Sequence, residues 1–167
     1  MNFIFLDCDG VLNDKNTKHT IRGFIGFDKR KIERLEKIID ATGAQIVLSS
    51  SWKHNWDKDK TKQDVYGDYL DERLYTRHIK ILDKTIDPES SENRGKGILN
   101  WLEEYKLIHP GEEINFIILD DEGFDFAECN IADRWVHTHF YAKAGGLREE
   151  HVKQAIELLG GTYVTGK

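Results

Sequence analysis

Acidic side chains directly follow two apolar segments of this sequence, each with the length of a short β-strand. These acids are Asp7, Asp9, Asp120 and Asp121. Ligands bind beyond the carboxyl ends of the strands in a parallel sheet, so we expect the acids to meet at one edge of the fold. Carboxylates repel each other in a low dielectric, and their convergence requires a cation or protonation. Because oxygen ligands favour a hard ion, the sequence predicts a Mg²⁺ site.

Hydroxyl and basic side chains are expected at the same edge. Ser49 and Ser50 follow the apolar segment 45–48, while Arg94 and Lys96 lie where a later helix should begin. Carboxylates, a hard cation, a hydroxyl group and a lysine together suit a phosphoryl group, because they supply a nucleophile, charge neutralisation and oxygen contacts. We rank Lys96 first as the cation, with Arg94 as the alternative and Ser50 as a further substrate contact. Each residue alone could be an ordinary cap or surface group; their order along the chain indicates a site.

Composition restricts the class of protein. The chain has 167 residues and a formal net charge of −6, from 24 basic and 30 acidic side chains. This length predicts one domain, residues 1–167. The acidic balance argues against coating extended nucleic acid, although a few local cations can hold a short phosphorylated ligand. Cys8 and Cys129 are too few for a disulfide framework, and no apolar run approaches a membrane span of about 18 residues. We therefore expect a soluble, cytoplasmic protein.

The order of apolar segments predicts the fold class. Expected strands cover residues 3–6, 45–48, 115–119 and 134–141, with a further short strand at 81–82. Expected helices cover residues 28–42, 63–79, 94–108 and 148–159. Strands that alternate with helices predict an α/β fold, a three-layer α/β/α, Rossmann-like sandwich around a parallel sheet. Residues 52–93 are less regular, and we expect them to form a small insert or lid within the domain.

These motifs resemble those of the haloacid dehalogenase (HAD) superfamily. Residues 5–13, Phe-Leu-Asp-Cys-Asp-Gly-Val-Leu-Asn, resemble its first motif, and residues 117–121 resemble its fourth, a strand that ends in paired acids. Residues 47–49 and 96–99 resemble the second and third motifs, a strand ending in serine and a lysine that opens a helix. The serine run at 49–51 and the glycine turn at 145–147 also resemble a compact branch, the HAD domain of multi-enzyme RNA repair proteins.

The resemblance implies a Mg²⁺-dependent phosphatase with an aspartyl-phosphate intermediate. Asp7 would attack phosphorus, and Asp9 would protonate the departing alcohol and then activate water. Asp7, the backbone carbonyl of Asp9 and Asp120 would hold Mg²⁺, with Asp121 in or just behind the first shell. Ser49 would bind a phosphoryl oxygen. Losing an acid such as Asp9 typically lowers the rate by about 10²–10⁴.

Residues 52–62 bear on the substrate. They combine basic and aromatic side chains, among them Lys53 and Trp56. Beside a phosphate site, such side chains could hold the backbone of a nucleic acid and stack on a base. The partner would then be a phosphorylated small molecule, a nucleotide or an oligonucleotide end, because a small lid admits bulky substrates. The alternative is that these Trp residues pack the insert and the Lys residues are solvated.

Two other functions are consistent with the same residues. A non-catalytic domain could bind a phosphorylated ligand, and a phosphotransferase could pass the phosphoryl group to another acceptor. The presence of both Asp7 and Asp9 favours an enzyme over a binding domain, because binding alone needs no acid or base.

Three further residues have two interpretations each. Asp125 is either an acid behind the metal site or the cap of a helix near Phe124. His137 and His139 are either a zinc pair or the polar face of a strand, and no third ligand is evident beside them.

Overall fold

The computed structural model describes residues 1–166. The strands are β1 (Asn2–Leu6), β2 (Thr20–Ile21), β3 (Phe24–Ile25), β4 (Gln45–Leu48), β5 (Ile81–Lys84), β6 (Asn115–Asp120) and β7 (Trp135–His137). The α-helices are α1 (Lys29–Thr42), α2 (Val65–Tyr75), α3 (Arg94–Ile108) and α4 (Glu149–Leu158). Five strands form a parallel sheet in the order β5-β4-β1-β6-β7, and β2 and β3 form a separate antiparallel hairpin.

The central strand β1 is buried on both faces. Ile4 and Leu6 belong to one apolar cluster, which also contains buried residues of α1, α2 and α4. Phe3 and Phe5 belong to a second cluster with α3, and Trp101 of that helix packs edge-on against both rings, with centroids 5.0 and 5.6 Å away. Helices therefore cover both faces of the sheet, which confirms the predicted three-layer α/β/α fold.

Helix α1 shows how local sequence produces these layers. Ile32, Leu35 and Ile38 recur at helical spacing and are buried against the sheet. Gly43 ends the helix in a left-handed conformation with φ of 65°, and its N–H donates to the Ile39 carbonyl at 2.7 Å. This conformation favours glycine because it has no Cβ.

Strand β7 is shorter than the predicted strand at 134–141. It ends at His137, and the chain then turns towards the loop that follows β1. The Thr138 hydroxyl donates to the Gly10 carbonyl at 2.6 Å, and the Gly146 N–H donates to the His139 carbonyl at 3.0 Å. Side-chain and turn hydrogen bonds thus replace strand pairing after His137, which the alternating sequence pattern does not reveal.

The segment 52–93 is continuous with the rest of the fold. It contributes β5, which pairs in parallel with β4 at the edge of the sheet. Helix α2 buries Leu70 and Leu74 in the same apolar cluster as α1. The segment therefore extends the sheet and its helical layer, in addition to placing residues near the strand ends.

Both cysteines are free thiols. Burial, reinforced by the Asp7 and Asp9 charges, raises the pKa of the Cys8 thiol well above its usual value, so this side chain stays protonated. Cys8 is part of the apolar cluster beneath the strand ends. Over residues 1–166, no helix is both long enough and apolar enough to cross a membrane.

Candidate active site

Three carboxyl groups meet at the carboxyl ends of β1 and β6. Asp7 follows β1, Asp120 ends β6, and Asp121 comes next; one oxygen from each lies within 4.8 Å of the others. Asp7 and Asp120 are buried, and Asp121 is partly buried. The convergence follows from the register, because β1 and β6 pair in parallel with Leu6 opposite Leu119. The structure thus brings together three of the predicted metal ligands.

Burial and mutual repulsion raise the pKa of each of these groups. Desolvation, with the Asp120 charge, raises the pKa of Asp7 to about 8. Desolvation raises the pKa of Asp120 to about 6, and desolvation with the Asp7 charge raises that of Asp121 to about 7. A divalent cation removes this repulsion, and a donor set made only of oxygens suits Mg²⁺. The residues present therefore fit the predicted metal.

The Asp9 carboxylate is exposed and lies outside this group of three. Trp52 Nε1 donates to its Oδ2 at 3.0 Å, and Asn13 Nδ2 donates to its Oδ1 at 2.8 Å. Asn13 Oδ1 also accepts from the Gly10 N–H at 2.9 Å, which fixes the turn after β1. Two donors therefore orient Asp9 while it stays accessible to a ligand.

Arg94 contacts the carboxylates, and Lys96 does not. Arg94 Nη1 donates to Asp120 Oδ2 at 2.7 Å and lies 3.3 Å from Asp7 Oδ1. Arg94 is 5% exposed, whereas Lys96 is exposed to solvent. Because Arg94 and Lys96 are two residues apart in the helix, their side chains are rotated by about 200° around its axis and point to different sides of α3. The structure corrects the sequence-based preference for Lys96 as the cation.

Asp125 caps α3 and so helps to fix Arg94. Its Oδ1 accepts from the Gly95 N–H at 2.6 Å, and its Oδ2 accepts from the Lys96 N–H at 3.2 Å. These N–H groups have no partner within the first turn of a helix. The Phe124 ring also packs against the Arg94 guanidinium, 4.1 Å from its centroid. Residues 124–130 form turns, so Asp125 does not cap a helix near Phe124; it caps α3, about 30 residues earlier in the chain.

Ser49 and Ser50 follow β4 and are fully buried. Ser50 Oγ accepts from the Trp52 N–H at 3.2 Å, and the Ser50 side chain acts to lower the pKa of Asp7 against the effect of burial. Ser49 Oγ has no hydrogen-bond partner among the described residues. A buried hydroxyl without a partner is costly unless a ligand or water binds it. Ser49 is therefore suited to the predicted contact with a phosphoryl oxygen.

Lys53 lies behind Ser49 and is satisfied by protein groups. Its Nζ pairs with Asp87 at 2.7 Å and donates to Thr85 Oγ1 at 3.2 Å and to the Ser49 carbonyl at 3.4 Å. Burial lowers its pKa, although the Asp87 contact opposes this shift. Lys53 therefore holds the loop after β5 against the end of β4, and these contacts give no direct support for its predicted contact with substrate.

Trp56 does not face the site. It is 2% exposed and belongs to the apolar cluster, and its Nε1 donates to Asp71 Oδ1 at 2.8 Å. Lys60 covers the ring at 4.4 Å from its centroid. The prediction that Trp56 stacks on a substrate base is wrong, because packing against the core leaves no free ring face. The alternative interpretation of packing is correct here.

The sequence did not predict a contact with Asp9 for either of the two residues that hold it. Asn13 carried a weak signal, since it lies four residues from Asp9 across a tight turn that contains a glycine. Trp52 carried none, because its bond to Asp9 joins residues 43 positions apart.

The two histidines pack against each other at the end of β7, where His137 is the last residue of the strand and His139 lies beyond it. The His137 ring lies 4.1 Å from that of Trp135 and 4.2 Å from that of His139. Within the described part of the chain, the three carboxylates are the only group of three or more residues that could hold a metal ion. The structure therefore gives no support to a zinc pair, and of the two histidines only His137 lies on a strand face.

An open cleft gives access to the carboxylates. It has a volume of about 310 Å³ and includes Asp7, Asp9, Arg94 and Asp121 in its walls. Aromatic rings of Phe124, Phe140 and Tyr141 line the cleft as well. The site is thus a shallow polar depression with an aromatic border.

The fold and the site together define a class, an α/β domain with a carboxylate-rich site at the carboxyl ends of its parallel strands. Residues 3–152 match the family model described as "HAD domain in Swiss Army Knife RNA repair proteins". The chain belongs to this family, as the sequence resemblance indicated. No curated protein and no solved structure matches the chain. The HAD domain supports a hydrolase of the phosphatase type.

Proposed function

We propose that this protein is a Mg²⁺-dependent phosphatase that hydrolyses a phosphomonoester through an aspartyl phosphate on Asp7. The main support is the division of roles between two nearby acids. Asp7 is buried beside other carboxylates, whereas Asp9 is exposed and oriented by Trp52 and Asn13. A nucleophile held in place and an acid–base that reaches solvent are what a two-step transfer requires.

The carboxylate group is the proposed metal site. Asp7, Asp120, Asp121 and the backbone carbonyl of Asp9 would hold Mg²⁺. When bound, the ion supplies positive charge that offsets the phosphoryl oxygens and the carboxylates. Arg94 adds a second positive charge from the protein at 3.3 Å from Asp7.

In the first step, an Asp7 oxygen attacks phosphorus and the bond from phosphorus to the alcohol oxygen breaks. Asp9 gives its proton to that oxygen, so the alcohol leaves neutral. Ser49 donates a hydrogen bond to a phosphoryl oxygen, and Arg94 offsets the charge that is shared by Asp7 and the phosphoryl group.

In the second step, Asp9 accepts a proton from a water molecule. The water oxygen attacks phosphorus, the bond between phosphorus and the Asp7 oxygen breaks, and inorganic phosphate is released. Asp7 returns to a carboxylate and Asp9 to its protonated form. The hydrogen bonds from Trp52 and Asn13 keep Asp9 in the same orientation for both transfers.

We further propose that the substrate is a nucleotide or a nucleic-acid end. The cleft is open, which suits a bulky leaving group. The description of the matched family, which names RNA repair proteins, supports the same class.

Phosphate release tests the proposal. The panel contains sugar phosphates, nucleotides and 3′- or 5′-phosphorylated oligonucleotides, each with and without Mg²⁺. We expect Mg²⁺-dependent phosphate release that Asp7→Asn abolishes. Asp133→Asn is the control and should keep full activity, because Asp133 is exposed and lies just before β7, away from the carboxyl ends of the strands. Absence of release by the wild type on every substrate, or undiminished release by Asp7→Asn, would contradict the proposal.

A further inference from the structure

A second, smaller cavity lies beside Asp9. Its volume is about 120 Å³, and it is lined by Asp9, Phe24, Ser51, Trp52, Asn55 and Tyr66. Asp9 thus borders both this cavity and the larger cleft that contains Asp7. A group bound here would contact the acid that acts on the leaving oxygen.

Three aromatic rings from separate elements build this cavity. Phe24 comes from the β2–β3 hairpin and is 57% exposed, Tyr66 comes from the first turn of α2, and Trp52 comes from the 3-10 turn after β4. The Phe24 and Tyr66 rings pack edge to face with centroids 5.1 Å apart, and Tyr66 meets Trp52 in the same way at 6.3 Å. These contacts hold the rings in place, while Phe24 keeps an accessible face.

The charge of the lining separates this cavity from the phosphoryl site. Of the six residues that line the cavity, only Asp9 is charged, and none is Lys or Arg. A phosphate group would be unpaired in such a place, whereas an uncharged flat ring would pack on the aromatic walls. Ser51 and Asn55 supply polar groups for the edge of such a ring.

The volume limits the occupant to about one ring. An engineered protein cavity of about 150 Å³ holds a benzene molecule, and the cavity beside Asp9 is of similar size. A one-ring pyrimidine base that stacks on Phe24 with its edge against Tyr66 meets this limit, and the rest of a longer chain would extend outside.

We propose that this cavity binds the base of the leaving nucleoside, which stacks on the accessible face of Phe24 and packs with its edge against Tyr66. The inference rests on the proposed phosphatase activity, because Asp9 protonates the leaving oxygen and the leaving group must therefore lie on the Asp9 side of phosphorus. Phe24 takes the stacking role that the sequence suggested for Trp56. Phe24 and Tyr66 select the substrate and take no part in proton transfer.

Paired substrates test the assignment. Phe24→Ala and Tyr66→Leu, which retains an apolar side chain at the half-buried position, are compared on a nucleoside monophosphate and on glycerol phosphate. We expect kcat/KM for the nucleotide to fall about tenfold, mainly through KM, because base stacking contributes to binding in both ground and transition states. Glycerol phosphate has no ring to stack, and its kcat/KM should stay within about twofold of wild type.

Tyr75→Ala is the matched control. Tyr75 is 61% exposed at the opposite end of α2 from Tyr66, so its removal should leave both substrates unaffected. Equal losses on the nucleotide and glycerol phosphate, or no loss in either test variant, would overturn the proposal. A selective loss in Tyr141→Ala with none in Phe24→Ala would place the base on the other wall and would also overturn it.

A binding measurement separates this inference from the phosphatase proposal. The product nucleoside, which carries no phosphate, is titrated calorimetrically into Asp7→Asn protein and into the same protein with Phe24→Ala. We expect Phe24→Ala to weaken binding about tenfold. If the wild type released no phosphate at all, the activity would be refuted while this titration still tested the cavity. Equal nucleoside affinity in the two proteins would overturn the cavity assignment.

Discussion

Arg94 donates a hydrogen bond to Asp120 across 2.7 Å and lies 3.3 Å from Asp7. One guanidinium therefore faces two of the three carboxylates at the candidate metal site. Burial acts against the charged form of Arg94, but the charges of Asp120 and Asp7 outweigh it and raise the pKa of the guanidinium. Arg94 is thus a permanent positive charge beside the carboxylates of the candidate metal site.

Replacement of Arg94 should be far more damaging than replacement of Lys96. We expect Arg94→Met to lower kcat by about 100-fold or more, the loss typical of removing one group that stabilises developing negative charge. Arg94→Lys should recover only part of it, because an ammonium cannot reproduce the guanidinium geometry. Lys96→Met, at an exposed position, should stay within about twofold of wild type, and a larger loss there than at Arg94 would contradict the assignment. Steady-state kinetics on one phosphomonoester provides the comparison.

The metal-free protein should lose stability as the pH rises from about 7 to about 8, and the loss should level off above that. Its folded state raises the pKa of Asp7 to about 8, so in this range it holds more protons than the unfolded chain does. Stability falls while the unfolded chain has released this proton and the folded state still holds it, and the fall ends once Asp7 ionises in the folded state as well. His151 does not obscure the effect, since its pKa is lowered by burial and its contribution lies below this range.

Urea unfolding with and without Mg²⁺ measures this linkage. Mg²⁺ replaces the protons, so the stabilisation by Mg²⁺ should grow with pH over the same range. Asp7→Asn removes the titrating group and should flatten the pH dependence of the metal-free protein. A metal-free wild type that becomes more stable towards higher pH would show that Asp7 does not titrate in this way.

Trp52→Phe should impair the acid–base step while preserving the fold. It removes the N–H that binds Asp9 at 3.0 Å but keeps an aromatic ring beside Phe27, whose centroid is 4.8 Å from that of Trp52. We expect kcat to fall about tenfold, with a shift in its pH profile, because Asp9 loses one of the two hydrogen bonds that orient it.

The matched control for Trp52 is Trp56→Phe. It removes a similar buried N–H, bonded to Asp71 at 2.8 Å, and should reduce only the free energy of unfolding, by about 1 kcal/mol. Equal kinetic effects in the two variants would indicate that Trp52 acts through packing alone.

Gly10→Ala should weaken Mg²⁺ binding. Gly10 has a φ of 83°, and a Cβ at this position would overlap the Asp121 carboxylate. Gly23 has a φ of 84° with nothing within 4 Å of such a Cβ. Both substitutions to alanine should therefore cost about 1–2 kcal/mol of stability through backbone strain. Only Gly10→Ala should lower Mg²⁺ affinity, by about tenfold or more, as measured by calorimetric titration. Similar affinities in both variants would argue against Asp121 as a metal contact.

Much of the fold and the acidic site followed from the sequence alone. Continuous apolar runs such as residues 3–6 require burial on both faces, and their alternation with helices leaves few topologies besides a parallel sheet. Because side chains at the carboxyl ends of such strands meet at one edge, the meeting of Asp7 with Asp120 and Asp121 was predictable from position alone.

The side chains around those acids were decided by tertiary structure. Arg94 faces the site and Lys96 faces solvent because the start of α3 is fixed by Asp125, which lies 30 residues beyond Gly95. Likewise, Trp52 reaches Asp9 across 43 residues, while Trp56 is buried in the core. A local pattern specifies that a helix or an aromatic residue is present. The direction of a side chain depends on the helical phase and on distant contacts, which exist only once the chain has folded.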